Sequence, residues 1–283
     1  MWIDHAYMLV FLREYMLKFL FRLIVSLFFI WALSYPFIEK STSLIDNETT
    51  APKPPVKKPE KPLHNVKLPD FNSFTDVKEK KHAFFDFIRP HIEAENKKIL
   101  QQRATLEIAL MMVQYDEPLS STQTKQVKTI LNSYKLPATL NSLALKQALR
   151  RVDIIPKELA LMQAANESAW GTSRFARIGL NFFGQWCYSK GCGMVPNRRN
   201  SGADHEVAAF KSVRAAVNSY FKNINTHAAY KQLRSIRADL RQQQKPVTAT
   251  QLSYGLTSYS ERGEAYIEEL NQMINQNRAY FDE

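Results

Sequence analysis

The stretch "APKPPVKKPEKP", residues 51–62, limits where a folded core can begin. Repeated proline fixes φ and removes backbone donors, and Lys53, Lys57, Lys58 and Lys61 leave little apolar surface to bury. Taken with its flanks, the segment 41–75 is expected to run as an extended, polyproline-like tether. A core must then come from the C-terminal side of this segment, and residues 1–40 form a separate element.

That element has its own signature. In "FLREYMLKFLFRLIVSLFFIWALSYPFI", Arg13, Lys18 and Arg22 precede the apolar run Leu23 to Leu33. This is the charge order of a signal peptide, or of a membrane anchor with its N-terminus inside. Ala32 and Ser34 are small residues at the spacing a signal peptidase reads, which would place cleavage before Tyr35, and counted from Met16 the segment has signal-peptide proportions. The other reading is an uncleaved anchor holding residues 19–38 in the inner membrane. Either way the remainder is expected to work in the periplasm or cell envelope. The formal charge of +11 raises the question of nucleic acid. Export argues against it and leaves anionic envelope polymers as the polyanions a basic surface would meet.

Cys187 and Cys192 both lie in "WCYSKGC". In an oxidising compartment this spacing favours a disulfide over a metal site, which would need further Cys or His nearby. Closing so short a loop contributes roughly 2 kcal/mol, and its purpose would be to hold the loop. No metal or cofactor is expected.

From about Asp76 the apolar residues recur at three- and four-residue steps. Phe84, Phe85, Ile88, Ile92, Ile99, Leu106 and Leu110 mark a long helix with a bend at Pro90, and two further helices complete a helical extension over 76–150. The catalytic part is expected over 151–283. There "CGMVPNRRNSGADHEVAAFKS" reads as a long loop plus a small hairpin, the helical period resumes through Val213, Val217, Tyr220 and Ile224, and a turn at Gly263 opens a last amphipathic helix. The class is α+β, predominantly helical.

One carboxylate stands out. In "MQAANESAWGTSRFA", Glu167 occupies the last turn of a helix that Gly171 is expected to stop. There it faces the negative end of the helix dipole, and shielding by Trp170 would add desolvation. Both raise its pKa and suit it to act as a general acid.

The blocks "ESAWGTS", "NFFG", "NTHAAY" and "YSERGEAY", in this order, resemble the catalytic domain of bacterial N-acetylglucosaminidases that cleave peptidoglycan, and within that superfamily are most similar to the Bax group. The resemblance covers about Arg151 to the C-terminus and implies a lysozyme-like domain with a small β lobe. Glu167 would protonate the glycosidic oxygen, Trp170 would pack beside it, and Asn181, Phe182, Phe183 and Tyr230 would contact substrate. Leu180 and Trp186 depart from the family, which often has Asn and Lys there. For the second catalytic group Glu206 and Asp204 are candidates, with Glu261 and Glu264 behind them; the resemblance implies that the substrate's own 2-acetamido group or a Tyr can stand in, and Glu206 as base and Tyr266 as stabiliser of the cation are the residues favoured. The activity implied is endo-β-N-acetylglucosaminidase on peptidoglycan glycan strands. A lytic transglycosylase and a non-catalytic wall-binding scaffold are the alternatives.

Overall fold

A computed structural model describes residues 60–196 and 205–281, so the expected signal or anchor segment, the first part of the tether and Asp204 lie outside the described residues. Nine α-helices, two 3₁₀ turns and one small sheet make up the described part.

Helix α1 (Val77–Gln114) is 38 residues long and starts where the Asp76 carboxylate accepts from the backbone N–H groups of Lys78 and Glu79. It buries the stripe that the spacing predicts, from Phe84 and Phe85 to Leu106. Pro90, expected to bend it, lies inside without ending the element. Ser120 and Gln123 open α2 (Ser121–Ser133) with a reciprocal capping box, and Asn141 caps α3 (Ser142–Arg151).

Helix α4 (Lys157–Ser168) is the centre of the molecule. Every residue from Leu159 to Ala165 is buried, with α1, α8 (Ala249–Ser253) and α9 (Glu264–Gln276) packed around it. A helix covered on all sides carries no amphipathic stripe, and its alanines let neighbouring backbones approach closely. Helices α5 (Arg174–Gly179), α6 (Val213–Thr226) and α7 (Lys231–Gln242) complete the body, with 3₁₀ turns at Ala228–Tyr230 and Arg278–Tyr280. The core of α1 and that of the C-terminal helices are continuous: Phe84 and Phe87 meet Phe182, and Phe85 meets Phe281.

Two expectations change. The tether does not run free to residue 75. From Glu60 onward it is fastened, by the Glu60–Arg174 ion pair, by the Leu63 N–H bonded to the Ile178 carbonyl, and by Phe71, which is 2% exposed in the core. Composition hid this because a few apolar residues in a polar segment, Phe71 with Val66, Leu68 and Phe74 beside it, are enough to dock it. The expected hairpin is the middle of a three-stranded antiparallel sheet ordered β1-β3-β2, with β1 at Trp186–Cys187, β2 at Gly193–Met194 and β3 at Glu206–Ala208. Val207 faces Trp186 on one side and Met194 on the other. All of β3 is buried, so its alternating polar pattern did not signal an exposed face.

Candidate active site

The end of α4 explains the block "ESAWGTS". Ala169 takes the left-handed conformation at the C-cap (φ 50°), followed by Trp170 (φ 57°) and Gly171 (φ 78°). The stop therefore falls two residues before the glycine. Ser168 ties the turn from inside, its hydroxyl donating to the Ala164 carbonyl at 2.6 Å and accepting from the Gly171 N–H at 2.9 Å. Ser173 then caps α5. Gly171 is required twice over, since a Cβ there would lie 2.4 Å from the Phe71 ring.

This turn leaves Glu167 half-buried at the wall of a cavity of about 470 Å³. Gly184, at φ 62° in "NFFG", presses against it: an added Cβ would lie 3.2 Å from Glu167 Oε2, so the missing side chain keeps that oxygen approachable. Aromatic rings form much of the remaining wall. Phe183 stacks on Tyr220 at 4.1 Å, Tyr230 tilts against Tyr259, and Trp186 is 51% exposed with its edge on His205 at 4.0 Å. Flat rings beside open space suit the apolar C–H faces of sugars.

Behind the carboxylate lies a directional hydrogen-bond chain. Tyr220 Oη donates to Gln163 Oε1 at 2.5 Å, and Gln163 Nε2 donates to Tyr266 Oη at 3.1 Å. The Tyr266 proton is left to go to Glu167, with which Tyr266 also bonds. Burial pushes the Glu167 carboxyl above its ordinary value; the Tyr266 hydrogen bond pulls the other way, and the charge of Glu269 adds to the rise. The net shift is upward. Burial first, then the Glu167 charge, push the Tyr266 phenol far up, so it stays a neutral donor.

The remaining expected residues divide sharply. Phe183 and Tyr230 line the cavity. Trp170 is not among the residues lining the cavity; its ring packs edge-on against Phe84 and Phe85 with Lys81 Nζ 5.4 Å from its centre. Phe182 is a core residue against Phe84 and Phe87. Asn181 is buried and structural: its Nδ2 donates to the carbonyls of Gln185 and Ala208, and its Oδ1 accepts from the N–H groups of Phe183 and Gln185. It shapes the "NFFG" turn and joins it to β3. Leu180, where the family often has Asn, is buried in the left-handed conformation at φ 52°, a geometry that Asn tolerates better.

Glu206 does not line the cavity. Its two oxygens accept from the Gly191 and Gly193 N–H groups at 2.9 and 2.8 Å, which clasps the loop closed by the Cys187–Cys192 disulfide. Cys187, Cys192 and Glu206 lie close enough together to hold a metal among the described residues, but the sulfurs are bonded to each other and offer no thiolate. Tyr266, the other candidate partner, is 2% exposed behind the carboxylate, outside the cavity wall.

Sequence reasoning missed Gln163, Tyr220 and Tyr259. Gln163 sits one helical turn before Glu167, a lone buried amide in a run of Ala, Leu and Met, and that was the available signal. Tyr220 reads as an apolar position of α6, and Tyr259 lies in the quoted "YSERG" block, where its hydroxyl donates to the Phe183 carbonyl at 2.8 Å.

The profile of the mannosyl-glycoprotein endo-beta-N-acetylglucosaminidase family matches residues 142–279. Protein bax of Escherichia coli (strain K12) is 33% identical over 213 residues, which is 75% of this chain and 74% of that protein. No solved structure matches.

Proposed function

Because the chain belongs to the mannosyl-glycoprotein endo-beta-N-acetylglucosaminidase family, we propose that it hydrolyses the glycan strands of peptidoglycan as an exported endo-β-N-acetylglucosaminidase, with Glu167 as the general acid. The family supports a glycoside hydrolase acting on a glycan. The observation that carries the finer reading is a half-buried carboxyl of raised pKa at the wall of an aromatic cavity, held by a donor from behind.

Among the described residues Glu167 is the one carboxylate lining the cavity. That arrangement favours help from the substrate over a protein nucleophile. Glu167 gives its proton to the glycosidic oxygen as the C1–O bond breaks, and the carbonyl oxygen of the 2-acetamido group bonds to C1, forming an oxazolinium ring. Water then opens the ring, returns a proton to Glu167 and leaves a reducing N-acetylglucosamine end. Tyr266 donates to the carboxyl from the buried side, and Gly184, having no side chain, leaves Oε2 approachable from the cavity. Phe183, Tyr230 and Trp186 supply ring faces for the sugars. The N-terminal charge order and the disulfide support work outside the cytoplasm, with a cleaved signal or an anchor in the inner membrane as the two forms of that reading.

Digestion of purified peptidoglycan with product analysis tests the assignment. The expected product carries a reducing N-acetylglucosamine end. An anhydro-muramyl end would replace the reading with a lytic transglycosylase, and binding without any product would replace it with a wall-binding scaffold.

A further inference from the structure

Besides its aromatic rings, the Glu167 cavity is lined by two lysines, Lys135 and Lys222. Lys135 follows the C-cap of α2, is exposed, and has φ 57°. Lys222, on α6, is half-buried, with Nζ donating to the Ser133 carbonyl at 2.7 Å and lying 5.6 Å from the Tyr134 ring centre. An ammonium has three protons, so that bond leaves two. Neither lysine forms an ion pair among the described residues. The acid that attracts Lys222, Glu95, is already engaged by Lys98 at 3.2 Å and by Asn218 at 2.8 Å. Lys222 therefore feels the charges of two other ammonium groups, Lys98 and Lys135, and of one carboxylate that Lys98 already holds. Burial, followed by the charge of Lys98, pushes the Lys222 ammonium below its ordinary pKa; Glu95 opposes the shift and Lys135 adds to it. Like charges pressed together in a half-closed cavity are relieved by an incoming anion.

We propose that Lys135 and Lys222 form an acid-recognising subsite of this cavity, which binds a carboxylate carried by the glycan substrate and so selects acidic glycans over neutral ones. The proposal rests on reading the cavity as the glycan-cleaving site. Two sources share the required chemistry: a lactyl ether carboxylate on the sugar ring, and a carboxylate of a peptide attached through it. Lysine suits either, because an ammonium acts as a point charge without demanding the planar fork geometry of arginine. Lys135 comes from the helices that precede the matched family region, so the selection would be set by a part of the chain outside that region.

The test measures kcat/KM for the full chain and for Lys135→Gln on three soluble oligosaccharides: neutral chito-oligosaccharide, peptide-free peptidoglycan strands with lactyl carboxylates, and the same strands with peptides attached. Lys135 is the residue to change because Lys222 also holds the Ser133 carbonyl. The expected loss is about 5- to 10-fold on a carboxylated glycan, as for a lost charge-assisted bond, and several-fold smaller on the neutral one. The carboxylated glycan that responds identifies the source. Equal losses on all three, or none on any, would overturn the subsite. Dissociation constants measured in a Glu167→Gln background separate this from catalysis. A preference for acidic glycans that Lys135→Gln and added salt both erase supports the subsite even if no product forms, whereas equal affinities overturn it.

Discussion

Two carboxylates, fourteen positions apart, one buried and one half-buried, experience opposite surroundings. Asp153, before α4, is held by Arg241 through two bonds at 2.9 and 3.0 Å and by Arg103 at 3.2 Å, with Arg237 behind. Burial would raise its pKa, but the Arg241 hydrogen bond and the charges of Arg237, Arg103 and Arg241 outweigh it, and the net shift is downward. Glu167, at the other end of α4, meets one phenol and, among the described residues, forms no ion pair, and burial wins. Arg237 shows the reciprocal cost, its guanidinium pushed down to about 10 chiefly by burial. A carboxylate with full cationic partners is locked as a structural anion. One with a single neutral donor keeps its proton available, and the difference lies in the partners rather than in depth.

The comparison can be broken in four ways. Asp153→Ala leaves three guanidinium groups around an empty anion site and is expected to cost ~3–5 kcal/mol in urea denaturation, while the pH profile of the surviving activity keeps its shape. A moved profile would place Asp153 in the chemistry. Glu167→Gln is expected to cut turnover on peptidoglycan by ~10²-fold or more with folding intact, and a rate within a few-fold of wild type would remove its role. Tyr266→Phe should cost less, about tenfold, and shift the alkaline limb of kcat/KM to higher pH, because it deletes the bond that holds the Glu167 pKa down. An unmoved limb would show that the phenol does not donate to Glu167. The smallest effect is on stability. Raised pKa means that ionisation of Glu167 opposes folding as pH rises through the folded value, and the penalty vanishes below the ordinary 4.5. Glu167→Gln should therefore melt slightly higher than wild type at pH 7 and level with it near pH 3, as scanning calorimetry would record. A lower melting point at pH 7 would contradict the sign.

What the sequence disclosed follows the same division. Periodicity reveals which residues face a core, and it placed α1, α6 and α9, with Tyr266, Leu270 and Ile274 buried together as expected. Local chemistry reveals caps and covalent pairs, hence Cys187–Cys192 and the position of Glu167 in its last turn. Neither discloses partners distant in the chain. The Tyr220–Gln163–Tyr266 chain joins α6, α4 and α9, and no spacing in the sequence marks it. For the same reason Glu206 looked like an available acid until the sheet gave it two glycine N–H groups, and nothing in the sequence marks the packing of the Trp170 ring on α1.

The docking of Phe71 against Gly171 bears on where this protein can be cut. A truncation at Asp76, where the long helix is capped, would remove the ring that covers the turn ending the Glu167 helix, together with the Glu60–Arg174 pair. The described attachments begin with the Glu60–Arg174 pair. A fragment starting at Glu60 retains the ring and the ion pair, so the shortest autonomous piece should be sought at residue 60, inside the proline-rich run itself.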